Sequence, residues 1–342
     1  MATTIIDVAK EANVSPSTVS RVIANNPRIS ERTKQKVREV MDRLDYHPNF
    51  QARNLAAKST KTIGVIMASS SVLAFQNPFF PEVLRGICSA AHASKYGMYL
   101  STGETEEEIF DEVVSMTQGR RVDGIILLYS KVKDRTMDYL QSIDFPFVVV
   151  GRPFENEASV TYVDNDNTAI AAEVVDYLLS LGHQDIAFVG GDINYVVSRD
   201  RLAGYQQALE TAGIPFQQAY YLQDSTVNED GASAIDALFH LPNRPTALIA
   251  HDDLTAYEII SILERKEINV PTDISIISFN NHVLSQHLRP PLTSVDIQIY
   301  DLGLEATECL LNKMDDPKLP ATHRIIGAKI ITRESCARRG ID

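Results

Sequence analysis

The chain has little of what marks several large protein classes. Its three cysteines, Cys88, Cys309 and Cys336, are odd in number and far apart, so neither a disulfide framework nor a paired metal motif is indicated. No apolar run reaches the roughly 18 residues of a membrane span, and polar and charged residues follow Met1 within a few positions. The expectation is a chain without signal peptide or membrane anchor, held in the cytoplasm. A glycine-rich phosphate loop, a GxSxG elbow and an HExxH pair are all missing, and the eight histidines form no ligand-spaced pair. These absences remove common signatures of catalysis and of metal centres. No catalytic residue, metal ligand or cofactor is expected, and the chain is read as a non-enzyme.

What is present is an ordinary globular composition, 44% hydrophobic and 23% charged over 342 residues, with room for about two to three domains. The net charge of −13 hides a split: residues 1–61 carry eleven Lys and Arg against six Asp and Glu, a net of +5, which leaves −18 for the remainder. A basic head on an acidic body separates a polyanion-seeking part from one that repels polyanions.

In the head, Ile6, Val8, Ala9 and Ala12 fall near helical spacing before Asn13-Val14-Ser15 breaks the pattern. Ser15 followed by Pro16 is a helix start, predicting a second helix through about Ala24 with Val19, Val22 and Ile23 turned inward. A third helix capped by Ser30 carries Val37, Val40, Met41 and Leu44. Two helices joined by a three-residue turn have the layout of a helix-turn-helix, in which the second helix enters the major groove of DNA. Arg21 can pair bidentately with guanine, while Ser17 and Thr18 reach base edges or phosphates. On pattern alone, a plain three-helix bundle with a solvated polar face remains the other reading.

The run TTIIDVAKEANVSPSTVSRVI, with Tyr46-His47-Pro48-Asn49 and Ala52-Arg53-Asn54-Leu55-Ala56 after it, resembles the lactose/galactose repressor family closely. The resemblance implies that Pro16, Ser17 and Arg21 read the operator, with further contacts from Ser15, Thr18, Arg28, Ser30, Thr33 and Tyr46. It also implies a hinge helix over residues 48–59, where Asn49, Arg53, Leu55 and Ala56 match operator contacts. Two hinge copies would fold on DNA and push Leu55 into the minor groove, since one such helix alone is marginal. A homodimer on a near-palindromic operator is therefore expected.

Beyond Lys61, short apolar runs alternate with amphipathic helices. Strands are predicted at Ile63–Met67, Met98–Ser101, Gly124–Leu128, Phe147–Val150, Ile186–Val189, Ala247–Ala250 and Ile274–Ser278. Helices lie between them, including Pro81–Ser94, Thr168–Leu181, Arg201–Ala212 and Leu254–Lys266. The fold class read from this is α/β: an all-α helix-turn-helix headpiece (1–47), a hinge and linker (48–61), and two doubly wound parallel-sheet lobes (62–342). The N-lobe is expected at about 62–162 plus 293–322, and the C-lobe at 163–292 plus 323–342. The body resembles a periplasmic sugar-binding protein.

Ligands of such sheets bind beyond the carboxyl ends of the strands. Aromatics, planar forks, amides and carboxylates at those points suit a polyol. The family resemblance implies that Phe79, Arg152, Arg199, His251 and Asn280 line the effector cleft, to which Asp164 at the crossover is added, and Arg199 is taken as the surest. Within the family the chain is most similar to repressors of maltose operons, so the implied effector is maltose or a related α-glucoside. Three other readings stand beside this: an enzyme, a free sugar-binding protein, and a catabolite control regulator whose corepressor is a phosphorylated carrier protein. The last would dock on basic residues such as Arg85, Arg120 and Arg121.

Overall fold

Short polar side chains set the helix starts of the head. A computed structural model describes residues 3–46, 59–67 and 75–339, with 225–230 by backbone alone, and divides the chain into Met1–Thr60 and Lys61–Asp342. Helix α1 (Ile5–Ala12) opens on a capping box in which the Thr4 amide donates to the Asp7 carboxylate at 2.9 Å and the Asp7 amide donates back to the Thr4 hydroxyl. It closes at Asn13, φ 52°, in the left-handed region that Asn tolerates. Helix α2 (Pro16–Ile23) is capped by Ser15, whose hydroxyl accepts from the Thr18 amide, and Ser30 caps α3 (Glu31–Arg43) in the same way through Thr33. Val8, Ala9, Ala12, Val19, Val22, Val37 and Val40 close one small core. The three expected helices and their caps are therefore present. Asn49, Arg53, Leu55, Ala56 and the hinge helix up to Lys58 lie outside the described residues.

The second unit alternates strand and helix. Strand β1 (Thr62–Met67) leads through α4 (Phe79–Ala93) to β2 (Gly97–Thr102), then α5 (Glu106–Gln118), β3 (Gly124–Leu127), α6 (Arg135–Ser142), β4 (Phe147–Val150) and β5 (Tyr162–Asp164). The second lobe runs α7 (Asn167–Ser180), β6 (Ile186–Gly190), α8 (Val196–Thr211), β7 (Tyr221–Gln223), α9 (Asp224–Phe239), β8 (Ala247–Ala250), α10 (Asp253–Arg265), β9 (Ser275–Phe279) and β10 (Thr293–Asp296). The chain then returns through α11 (Ile299–Asp315) and β11 (His323–Ile325), and crosses again to β12 (Lys329–Ile331). The sheet orders are β11-β5-β4-β3-β1-β2 and β12-β10-β9-β8-β6-β7. All pairings are parallel except β12 against β10. β3, β4, β6, β8 and β9 are buried along their whole length, as strands covered on both faces must be.

The expected lobe boundaries are corrected by this pairing. β5 and β11 belong to the N-lobe sheet and β10 to the C-lobe sheet, so the chain crosses after Asp164, Asp296 and Ile325, each a few residues later than expected. The crossings are stapled by one buried side chain. The Asn165 amide nitrogen donates to the carbonyl oxygens of Ile297 at 3.1 Å and Ile326 at 2.9 Å, and the Ile326 amide donates to Asp164 O at 2.8 Å.

Helix pairs cover the sheets at backbone contact. A Cβ on Gly204 would lie 2.1 Å from Thr168 O, and one on Gly303 would lie 2.1 Å from Val83 O. Only glycine permits this approach, which seats α8 on α7 and α11 on α4. Among the described residues, no helix is long and apolar enough to cross a membrane.

Candidate functional site

The head presents a polar surface around α2. Val19 and Val22 are buried, while Pro16, Ser17, Ser20 and Arg21 are exposed. Three hydroxyls gather at the start of the helix: Ser15 Oγ lies 2.8 Å from Ser17 Oγ and 2.9 Å from Thr18 Oγ1. Here the helix dipole favours an anion. Ser30 and Thr33 form a second hydroxyl pair at 2.9 Å at the start of α3. Arg28 is exposed on the loop before it, and Tyr46 is half-buried against the head's core. An exposed arginine and small hydroxyls on one short helix can meet phosphates and base edges.

In the body, a cavity of about 480 Å³ lies at the carboxyl ends of strands of both lobes. Its walls include Leu128 and Ser130 after β3, Gly151 after β4, Gly191 after β6 and His251 after β8. In both sheets the strand order reverses direction beside β1 and β6, the switch points where such folds take ligands. Phe79, at the start of α4, reaches the cavity and meets Phe80 edge-on at 5.4 Å.

Asp164 ends β5 and is buried in the wall. Its carboxylate accepts from the Arg152 and Asn165 amides, each at 2.8 Å, and from the Asn167 side chain at 3.0 Å. Burial pushes this carboxyl up to about 6, with the Arg152 and Asn165 amides and the Arg201 charge acting the other way only in part. Arg201 of α8 is buried opposite. Nε donates to Asn167 Oδ1 at 3.0 Å, Nη1 to the carbonyl oxygen of His251 at 2.6 Å, and the guanidinium lies 4.1 Å from the centre of the Phe279 ring. Burial lowers it to about 10, which leaves it a cation at neutral pH.

His251 stands half-buried with Nδ1 at 3.1 Å from the Thr255 hydroxyl and Nε2 at 3.7 Å from the Asp224 carboxylate. Asp252 caps α10 by accepting from the Thr255 amide at 2.8 Å. Burial disfavours its charge, yet His251, the Thr255 amide and hydroxyl, and His282 together hold it below the usual carboxylate range. Asp253, fully buried, accepts from Ser278, Ser285 and Ser294 hydroxyls and from the His282 amide. This hub fixes the loop after β9, where Asn280 is held at φ 99° with its amide donating to Val295 O at 2.9 Å. The two adjacent carboxylates are thus a cap and a structural anchor. Among the described residues, no group of three His, Cys, Asp or Glu side chains is arranged to hold a metal.

Of the six effector residues expected from sequence, Phe79, Asp164, His251 and Asn280 line this cavity and Arg152 and Arg199 do not. The Arg152 guanidinium is engaged by Asp200, and Arg199 is exposed, over the ring of Phe154. The cavity arginine is Arg201, two residues on. Asn167, Asp192, Tyr195 and Asp224 also line it and were not expected. Arg201 had a signal: Val196, Ser198, Arg201, Gly204, Tyr205, Ala208 and Leu209 are the buried positions of α8, a spacing of three and four that includes 201 and excludes 199.

Residues 4–49 match the model of bacterial regulatory proteins of the lacI family, and residues 175–336 match a periplasmic binding protein-like domain. The chain is 37% identical over 332 residues to the HTH-type transcriptional regulator MalR of Staphylococcus xylosus, covering 97% of each. It is 35% identical over 331 residues to catabolite control protein A of Priestia megaterium, covering 95% of this chain and 98% of that one. The crystal structure of a transcriptional regulator described as LacI, from Bacillus cereus subsp. cytotoxis NVH 391-98, is 48% identical with a TM-score of 0.79, covering 82% of this chain and 99% of its own. With a helix-turn-helix head, a two-lobed body and relatives matched along almost its whole length, the chain belongs to the lacI family of bacterial transcription regulators.

Proposed function

We propose that this chain is a homodimeric transcriptional repressor whose head reads an operator and whose cleft takes a neutral sugar, maltose or a related α-glucoside, controlling carbohydrate-utilisation genes. One observation carries the reading. A cavity between two lobes offers an aromatic face at Phe79, a planar cation at Arg201, carboxylates at Asp164 and Asp224, an imidazole at His251 and an amide at Asn280. Rings pack the apolar faces of a sugar, and forked donors and carboxylates take its adjacent hydroxyls. Similarity to MalR supports the choice of α-glucoside. The activity is binding, with no catalytic step, and belongs in the cytoplasm with the DNA.

The phosphorylated-carrier reading draws on the similarity to catabolite control protein A, and two of its three basic residues, Arg85 and Arg121, have acidic neighbours. Arg85 is gripped by Glu82 at 2.6 and 2.9 Å, and Arg121 lies 3.7 Å from Glu112. These are exposed pairs, worth little in water, so the preference for the sugar reading rests on the cavity itself.

In the head, Arg21, Pro16 and Ser17 are assigned to base reading, and Ser15, Thr18, Arg28, Ser30 and Thr33 to the phosphate backbone. Fluorescence anisotropy on operator and random duplexes tests both halves. Binding should weaken steeply with salt, and Arg21→Ala should lose operator preference by about 1–3 kcal/mol while keeping general affinity. Equal losses on both duplexes would reject base reading. Added maltose should release the operator, and a panel of neutral sugars without effect would reject the effector half.

A further inference from the structure

The two arginines that leave the cavity cross the cleft in opposite directions. Arg152, in the loop after β4 of the N-lobe, grips Asp200 on α8 of the C-lobe: Nη2 donates to both carboxylate oxygens at 2.7 and 2.9 Å, and Nε to one at 3.3 Å. Arg199, on α8, lies over the ring of Phe154 in that same N-lobe loop, 5.2 Å from its centre. Beside them the lobes share a short antiparallel bridge. The Val132 amide donates to Asn194 O at 2.9 Å, and the Val196 amide donates to Ser130 O at 3.0 Å. The Lys131 ammonium lies 5.4 Å from the centre of the Tyr195 ring.

We propose that these contacts form a clasp that holds the lobes together across the cleft and bounds the effector cavity, with Arg152, Phe154, Arg199 and Asp200 as its gate. Each lobe gives one arginine and receives one, so the clasp breaks as a unit when the lobes part. Three crossover segments also join the lobes, but those are covalent; the clasp is the connection that rotation can open. Its partners all belong to the chain. Residues next to the gate, Gly151 and Ser198, line the cavity, so a sugar enters through an opened clasp and must fit inside a closed one. Glu157, 3.6 Å from the Arg152 guanidinium on the N-lobe side, is a second carboxylate that can hold Arg152 when Asp200 swings away. Charge-assisted, forked bonds in a half-buried setting are among the stronger polar contacts.

The test needs no sugar, so it stands apart from the effector reading. Residue-resolved hydrogen exchange on the full chain reads the opening directly at the Val132 and Val196 amides. Asp200→Asn should speed exchange at both roughly tenfold, and Phe154→Ala by roughly threefold, because exchange follows the population of the open form. The Ile126 amide, inside β3, should keep its wild-type rate in both variants. Arg152→Lys, which keeps the charge and loses the fork, should fall between wild type and Asp200→Asn. Unchanged rates at Val132 and Val196 in both variants would overturn the clasp, and so would equal acceleration at Ile126, which would mean that the whole lobe had loosened.

Discussion

The guanidinium of Arg201 on α8 donates through Nε to the side-chain oxygen of Asn167, the first residue of α7, at 3.0 Å. Two helices of one lobe thereby aim a single cation at the cavity. Arg201→Lys keeps the charge but cannot span Asn167 and His251 together. It should abolish the thermal shift produced by added maltose while leaving operator affinity unchanged. Arg199→Ala, which loses a gate contact but no group lining the cavity, should reduce that shift without abolishing it. Thermal denaturation with and without sugar distinguishes the two.

Gly204 controls the distance between those helices. A methyl at this position meets the Thr168 carbonyl at 2.1 Å, so Gly204→Ala must push α8 from α7. The gain of about 1 kcal/mol in helix propensity is outweighed by overpacking. A net loss of about 2–3 kcal/mol is expected in urea denaturation, with weakened sugar binding because Arg201 is displaced from Asn167.

Asn165→Ala removes the side chain that serves two crossovers and leaves two carbonyls of the hinge unpaired. A cost of about 2–4 kcal/mol follows from the loss of one buried and one part-buried bond. Scanning calorimetry checks it, with an unchanged melting temperature as the contrary result.

Asp134 caps α6 through Oδ1, while Oδ2 is buried with no hydrogen-bond partner. Burial pushes the carboxyl up to about 6, against the pull of the Met137 and Thr136 amides. A raised carboxyl contributes stability that is present below the unfolded value near 3.8 and lost as pH rises through about 6. Asp134→Asn keeps the cap and does not titrate. The stability of Asp134→Asn relative to wild type should therefore rise by about 1–3 kcal/mol between pH 4 and 6 and stay level above. A flat difference across that range would show that Asp134 ionises normally.

The helix starts of the head were legible because each rests on a neighbouring side chain, as Ser15 with Pro16 does. Strands such as Phe147–Val150 were legible because four consecutive apolar residues admit few alternatives. α8 is not, and this bears on Arg199: the first residue of the helix follows Tyr195, which makes no capping bond, so no start signal marks the helix and the sequence places its beginning only at Arg201. β10, Thr-Ser-Val-Asp, lacks an apolar run because its hydroxyls serve the Asp253 hub and the neighbouring loops. β5, β7, β11 and β12 have three residues each, too few for periodicity to register. Arg152 was sought in the cavity because a cation after a strand suits a sugar equally well, and only the position of Asp200, 48 residues on, decides otherwise.

The three crossings also bear on how the chain emerges from the ribosome. The N-lobe sheet takes its edge strand from His323–Ile325 and its cover from Ile299–Asp315, both made after the entire run of C-lobe strands up to β10. During synthesis five of the six strands of that sheet must therefore wait with one face only partly covered, by α4, while the second lobe is translated, and neither lobe can finish ahead of the other. The head has no such dependence, since its three described helices lie within the first 43 residues. A nascent chain halted midway would carry a folded three-helix bundle on an unfinished body, so the delay exposes apolar strands to chaperones and proteases.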